Sequence, residues 1–206
     1  MQYVALSNGV KMPILGYGVY QVTKDECERC VLDALKAGYR SLDTAQSYFN
    51  EEEVGSAMKK SGIPREEIFL TSKVWVEHYG YEEARKSVEE SLRKLQTDYL
   101  DLMLLHQPFN DYYGAYRALE DLYDEGKLRA IGVSNFYPDR LVDLAGQNEP
   151  PDLRCPWCKR FLEMSKQLVE RDVYVVYRAL EEKEKTNLPA IDEKTVKLPL
   201  PAADGR

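Results

Sequence analysis

Long apolar runs are missing from this sequence. No stretch reaches the roughly 18 to 20 residues that a membrane-spanning helix needs. Met1-Gln2-Tyr3-Val4 does not begin the basic and then apolar pattern of a secretory leader. These absences exclude a membrane partner and lead us to expect a cytoplasmic protein. Basic charge is also short, with 28 Lys and Arg against 35 Asp and Glu and a formal charge of −7. With no basic stripe to compensate, a phosphate backbone would be repelled, so nucleic acid is excluded as a partner. There are only four cysteines, Cys27, Cys30, Cys155 and Cys158. That is too few for a disulfide scaffold at this length and suits a reducing compartment. No Cys or His cluster has metal-ligand spacing, so no metal site is expected, and no nucleophile stands paired with a base in the hydrolase manner.

What is present is enough apolar material, 44% of 206 residues, for a real core. Asn8-Gly9 between residues 3–6 and 10–14 predicts an opening β-hairpin. Ile14 to Tyr20 follows as a short strand whose Gly16 and Gly18 let another molecule approach the backbone closely. From there a rhythm sets in. Thr23 with Glu26 fits a capping box, and Cys27, Val31, Ala34 and Leu35 mark one face of a first helix that stops at Gly38. Apolar runs at 39–43, 68–73, 99–105 and 128–133 read as strands. Amphipathic runs at 51–60, 82–95 and 114–125, and one from Pro138 to Gly146, read as helices.

Near-continuous apolar strands, each followed by such a helix, predict an α/β fold with a parallel sheet covered by helices and curled toward a barrel by right-handed crossovers. After Gly146 the pattern breaks. Residues 147–156 are polar with Pro150, Pro151 and Pro156 and read as a linker, and 188–206 read as disordered. We therefore divide the chain into a barrel-like part, 1–146, and a divergent segment, 147–206.

Strand C-terminal ends carry the chemistry in barrels of this kind, and four reactive side chains sit at or just after such ends: Asp43, Tyr48, Lys73 and His106. A free phenol has a pKa of about 10. A nearby ammonium held by a carboxylate favours the phenolate and sharpens the phenol as a proton donor. Tyr48, Lys73 and Asp43 fit those roles, and His106 fits a group that orients a carbonyl oxygen toward Tyr48. Proton donation to an oxygen suits carbonyl reduction by hydride from a bound cofactor.

Asp43-Thr44-Ala45-x-x-Tyr48-x-Asn50-Glu51, Lys73 after a strand, Leu104-Leu105-His106-x-Pro108 and Gly132-Val133-Ser134-Asn135-Phe136 together closely resemble the aldo/keto reductase family. Leu6-Ser7-Asn8-Gly9-x-x-Met12-Pro13 and Leu15-Gly16-Tyr17-Gly18 are also similar to that family's opening. The resemblance covers about residues 2–146. It implies a (β/α)8 TIM barrel, NADPH- or NADH-dependent reduction of aldehydes and ketones, and a tetrad of Asp43, Tyr48, Lys73 and His106. By the same resemblance Ser134 and Asn135 hold the nicotinamide carboxamide. Gly18, Val19 and Tyr20 line its approach together with Asp43, and Tyr20, Trp75 and His106 face a small carbonyl substrate.

The family's later strands, with its further nicotinamide contacts and its grip on the adenosine 2′-phosphate, find no match in residues 147–206. That segment is too short for three strand and helix units of about 30 residues each. The barrel is thus expected to be incomplete, as from a truncated, frameshifted or recombined reading frame, with open sheet edges that invite self-association. Two alternatives to an active reductase stay open. One is an inactive fragment that acts as an interaction module. The other is a thiol-disulfide oxidoreductase centred on Cys155-Pro156-Trp157-Cys158, which resembles a glutaredoxin motif.

Overall fold

An Asn-Gly turn starts the chain's architecture. The computed structural model describes residues 1–6 and 8–146. The expectations for residues 147–206, the Cys155/Cys158 motif among them, lie outside the described residues. β1 (Tyr3–Ala5) and β2 (Lys11–Pro13) pair antiparallel around Asn8 and Gly9. Gly9 takes the positive φ of 83° that a side chain would resist. Asn8 is used twice: its Oδ1 accepts from the Val10 amide, and its Nδ2 donates to the Arg129 carbonyl. Leu6 is buried against Phe69 and Ala130, so the hairpin covers the N-terminal ends of the sheet strands and leaves the opposite ends free.

Five parallel strands follow in chain order: β3 (Tyr17–Gly18), β4 (Ser41–Asp43), β5 (Phe69–Val74), β6 (Leu102–Leu105) and β7 (Ile131–Val133). α1 (Lys24–Lys36), α2 (Glu51–Ser61), α3 (Tyr81–Leu95), α4 (Tyr112–Asp124) and α5 (Pro138–Gly146) alternate with them. The buried faces are those that helical spacing predicts: Cys27, Val31, Ala34 and Leu35 on α1, Val54, Ala57 and Met58 on α2, and Ala84, Val88, Leu92 and Leu95 on α3. All six residues of β5, its lysine included, are buried, as befits a strand covered on both sides.

Two local expectations come out differently. The strands begin later than the apolar runs, although the Arg40 carbonyl and the Asp101 amide still bond across to Phe69 and Leu70. Thr23 does precede α1, but its hydroxyl donates to the Glu26 carboxylate at 3.2 Å instead of capping a backbone amide.

Gly55 sets how closely α2 approaches α3. A methyl at this position would fall 2.6 Å from the Lys94 carbonyl oxygen and 2.7 Å from that of Leu95, both backbone atoms that cannot step aside. Gly55→Ala is therefore expected to destabilise the fold by about 1–3 kcal/mol despite alanine's better helix propensity. Urea unfolding measures it, and a stabilised variant would show that the helices slide apart freely.

Candidate active site

The register aligns the C-terminal ends of the strands. Gly18 lies opposite Asp43, Asp43 opposite Thr71, and Lys73 opposite Leu104, one residue short of the strand end that leads into His106. After β4 the chain turns through a short 3-10 segment, Gln46–Tyr48. Phe49 closes that segment in a left-handed conformation, φ 57°, which side chains of its kind adopt at a cost. Tyr48 is thereby carried back over the ends of β4 and β5.

Lys73 is buried and donates to Asp43 Oδ1 at 2.6 Å and to the Thr44 carbonyl at 2.9 Å. Its ammonium stands 5.1 Å from the centre of the Tyr48 ring. The rings of Tyr48 and His106 are 5.7 Å apart and edge-on, and Trp75 meets the other side of His106 at 5.2 Å. Tyr20, largely exposed, leans on Tyr48 at 5.1 Å. The four expected residues and the two aromatic walls thus meet at one mouth. Beside it a cleft of about 420 Å³ opens between the loops after β6 and β7, with Phe109, Asn135 and Tyr137 among its walls.

The electrostatics differ from the expectation in one respect. Burial first, then the Asp43 carboxylate and Tyr20, hold the Tyr48 phenol above the ordinary tyrosine value rather than below it. The physical reason is first the water the phenol loses on burial, while Lys73 gives its hydrogen bonds to Asp43 and Thr44. Among the described residues it makes no bond to the phenol oxygen. His106 is pushed down, by burial first and by Lys73 second, with Asp43 partly opposing. A neutral imidazole is the result at physiological pH.

For the nicotinamide the residues fit at one end. A Cβ on Gly18 would meet nothing within 4 Å, so the exposed backbone at the end of β3 is open to close approach. Asn135 donates to the His106 carbonyl at 2.9 Å and to the Ser134 hydroxyl at 3.1 Å, which leaves its amide oxygen as an acceptor. The Val19 side chain is buried in the core. The residue's amide donates to the Asp43 carbonyl and its carbonyl accepts from the Asn50 side chain, which fixes the backbone between Gly18 and the largely exposed Tyr20. The expectation that a grip on the adenosine end finds no match in residues 147–206 lies outside the described residues. Among the described residues there is no group of three His, Cys, Asp or Glu able to hold a metal ion.

Gln46 stands at a spacer position of the sequence motif, whereas Asn50 and Glu51 belong to the motif without a role having been expected for them. Gln46 accepts from the Trp75 amide at 2.8 Å and donates to the Ser87 carbonyl and the Ser91 hydroxyl, so it ties the turn carrying Tyr48 to β5 and α3. Asn50 is fully buried and donates to the Val19 and Val22 carbonyls while accepting from Thr44. Glu51, also buried, accepts from Ser72 at 2.6 Å, and its carboxyl is raised by burial against the pull of that bond. Six polar residues besides Tyr48 in the nine-residue stretch Asp43 to Glu51, which ends in a buried helix start, were the available signal. Buried polar groups require partners, so such a stretch had to be internally stapled.

A parallel sheet with a tyrosine, a lysine–carboxylate pair and a histidine at its strand C-terminal ends defines an α/β barrel-type protein with an acid–base site. Comparison with known proteins narrows this. The sequence model of the aldo/keto reductase family matches residues 8–181, running on past residue 146. The chain belongs to the aldo/keto reductase family. It is 54% identical over 143 residues to glyoxal reductase of Bacillus subtilis, covering 68% of this chain and 52% of that protein. To morphine 6-dehydrogenase of Pseudomonas putida it is 42% identical over 149 residues, covering 71% and 50%. The solved aldo/keto reductase of Brucella melitensis superposes with a TM-score of 0.70 at 46% identity, covering 71% of this chain and 57% of that one. An aldo-keto reductase of Bombyx mori in complex with NADP gives 0.68 at 32% identity, covering 72% and 55%. The chain spans about half the length of the curated relatives it matches. Its described residues supply five strand and helix units of the family's (β/α)8 barrel.

Proposed function

We propose that this chain reduces aldehydes or ketones to alcohols with NADPH or NADH, through Tyr48, Lys73, Asp43 and His106. The observation that carries this reading is the convergence at one mouth of a phenol, a neutral imidazole and a buried lysine paired with Asp43 at 2.6 Å. A relative named glyoxal reductase and a structural neighbour in complex with NADP support it. The cofactor supplies a hydride when bound. Gly18 at the end of β3, with Val19 and Tyr20 just after it and Asp43 beside it, would line its approach, and Ser134 and Asn135 would offer a hydroxyl and an amide oxygen to its carboxamide. His106 orients the substrate carbonyl oxygen, Tyr20 and Trp75 wall the substrate, and Tyr48 gives its proton to that oxygen as negative charge develops there. An alkoxide is far more basic than a phenolate, so a phenol raised in pKa still donates downhill. Lys73 and Asp43 hold the phenol's surroundings fixed and stabilise the phenolate left behind.

The same reading places the protein in the cytoplasm, in keeping with its few cysteines and with helices none of which, among the described residues, is long and apolar enough to cross a membrane. It also keeps the division near residue 146 and self-association through sheet edges, since among the described residues β7 pairs with β6 alone. Oxidation of NADPH by the full chain with an aromatic aldehyde is the test. No rate above background would favour the inactive fragment.

The pH profile adds a sharper check. Tyr48 must be protonated to act, and a raised pKa keeps it protonated to higher pH. The alkaline limb of kcat is therefore expected above about pH 10. The stability held by the neutral phenol is present below that pH and lost as pH rises through the folded value, so circular dichroism must accompany the assay. A limb near neutrality in a folded protein would mean that Lys73 governs the phenol after all.

A further inference from the structure

His106 is fixed on every side but one. Its amide donates to the Val74 carbonyl at 3.1 Å, its carbonyl accepts from Asn135 at 2.9 Å, and its ring is held edge-on by Trp75 and Tyr48. These contacts set where the ring lies. They do not decide which nitrogen carries the proton, and a neutral imidazole can carry it on either. The choice matters. Only an N–H can donate to a substrate carbonyl oxygen, and a ring protonated on the wrong nitrogen would present a lone pair to that oxygen and repel it.

One contact bears on this choice. The hydroxyl of Ser47, on the same short turn as Tyr48, lies 3.3 Å from Nδ1 of His106, whereas Nε2 has no protein partner among the described residues. A serine hydroxyl can donate or accept, so the contact alone permits either tautomer. The direction is settled by what the site asks of Nε2. If Nδ1 accepts from Ser47, Nε2 bears the hydrogen and the unpartnered nitrogen is the donor. We propose that Ser47 is a positioning residue that donates to Nδ1 of His106, holds the ring as the Nε2–H tautomer and so turns the imidazole into a hydrogen-bond donor toward the substrate oxygen. This rests on the reductase reading for the direction of the bond and for its consequence, though not for the contact itself.

The charged and titratable groups facing the ring are Lys73 from β5, Asp43 from β4 and Tyr48 from the turn. Trp75 and Asn135 add neutral contacts. Lys73 disfavours the imidazolium and Asp43 favours it, so removal of the Ser47 donor is expected to raise the His106 pKa by releasing one bond that is made to the neutral ring only.

The chain has only two histidines, His78 and His106, which makes ring nitrogen NMR of the full-length protein direct to assign. His78→Gln removes the other set of signals. Above its pKa, wild-type His106 is expected to show protonated Nε2 and unprotonated Nδ1. In Ser47→Ala the two tautomers become mixed and the pKa rises. Ser47→Thr, which keeps the hydroxyl, restores the wild-type spectrum. Ser47→Cys, a weak donor of similar size, falls between the two and stands in should the alanine variant not fold. In the aldehyde assay Ser47→Ala lowers kcat about five-fold, the loss of one neutral hydrogen bond, and Ser47→Thr recovers it. An Nδ1–H ring in the wild type, or a tautomer and pKa unmoved in both hydroxyl-free variants, would overturn the proposal. The NMR needs no turnover: the expected spectra without any aldehyde reduction would leave the role of Ser47 standing and defeat the reductase reading instead.

Discussion

Replacing Tyr48 by Phe is expected to lower aldehyde reduction by about 10²–10⁴-fold while leaving the fold and nicotinamide binding intact. The magnitude is that of a positioned general acid. The selectivity follows from the geometry. The substitution removes one hydroxyl and keeps the ring, and the ring makes the packing contacts, with Tyr20 at 5.1 Å, His106 at 5.7 Å and the Lys73 ammonium at 5.1 Å. No buried hydrogen bond is broken, because among the described residues the phenol oxygen has no protein partner. Lys73 keeps Asp43 and Thr44, so no charge is orphaned. Steady-state kcat with an aromatic aldehyde, set beside cofactor binding followed by fluorescence, measures both halves of the claim. Activity unchanged by the substitution would move the proton donor elsewhere. A parallel loss of cofactor binding would show that the hydroxyl serves the ground state and not the transition state.

The positions of these residues were readable from the sequence for a simple reason. A strand buried on both faces has to be apolar, so Asp43, Lys73 and His106 stood out at the ends of apolar runs, and their order along the chain places them on neighbouring strands. Helix faces were equally legible, since α1, α2 and α3 bury the residues that a 3.6 period selects. What spacing could not convey was the direction of electrostatic influence. That Lys73 and Tyr48 are near one another follows from the motif. That burial first, and the Asp43 carboxylate second, leave the phenol raised, while Lys73 turns to Asp43 at 2.6 Å, follows only from the structure. The roles of Gln46, Ser47 and Asn50 were hidden for another reason: their importance lies in which groups they reach across 28 to 59 residues of sequence, and no local pattern encodes those partners. Asp101 lies inside the apolar run 99–105, and nothing in that run's pattern says which cations its carboxylate meets.

Asp101 is the residue whose loss should cost the fold most. Its side chain is 1% exposed at the N-terminal end of β6, the pole opposite the candidate site. Arg65 approaches one oxygen at 2.9 Å and Arg129 the other at 2.7 Å, while the buried Leu70 amide donates to it at 3.0 Å. The Tyr99 ring lies under the Arg65 guanidinium at 4.1 Å, and Arg65 also reaches the Ile68 and Tyr99 carbonyls. One carboxylate therefore joins the chain entering β5, β6 and β7. Asp101→Ala would strand the Leu70 amide without an acceptor and leave two facing cations without their shared anion. Breaking a buried pair from one side costs about 3–5 kcal/mol, a large part of the 5–15 kcal/mol that holds a typical domain together. Asp101→Asn keeps an acceptor for Leu70 but not the charge, and about 1.5–3 kcal/mol is expected to be lost. Urea unfolding of the three proteins at neutral pH should rank them in that order, and a loss below about 1 kcal/mol in the alanine variant would mean that water replaces the carboxylate without strain. Whatever fraction of the asparagine variant remains folded should reduce aldehyde at an undiminished rate per folded molecule. Asp101 secures the strand N-terminal ends, whereas Asp43, Tyr48, Lys73 and His106 sit at the C-terminal ends, and in barrels of this kind the first pole carries stability and the second carries chemistry.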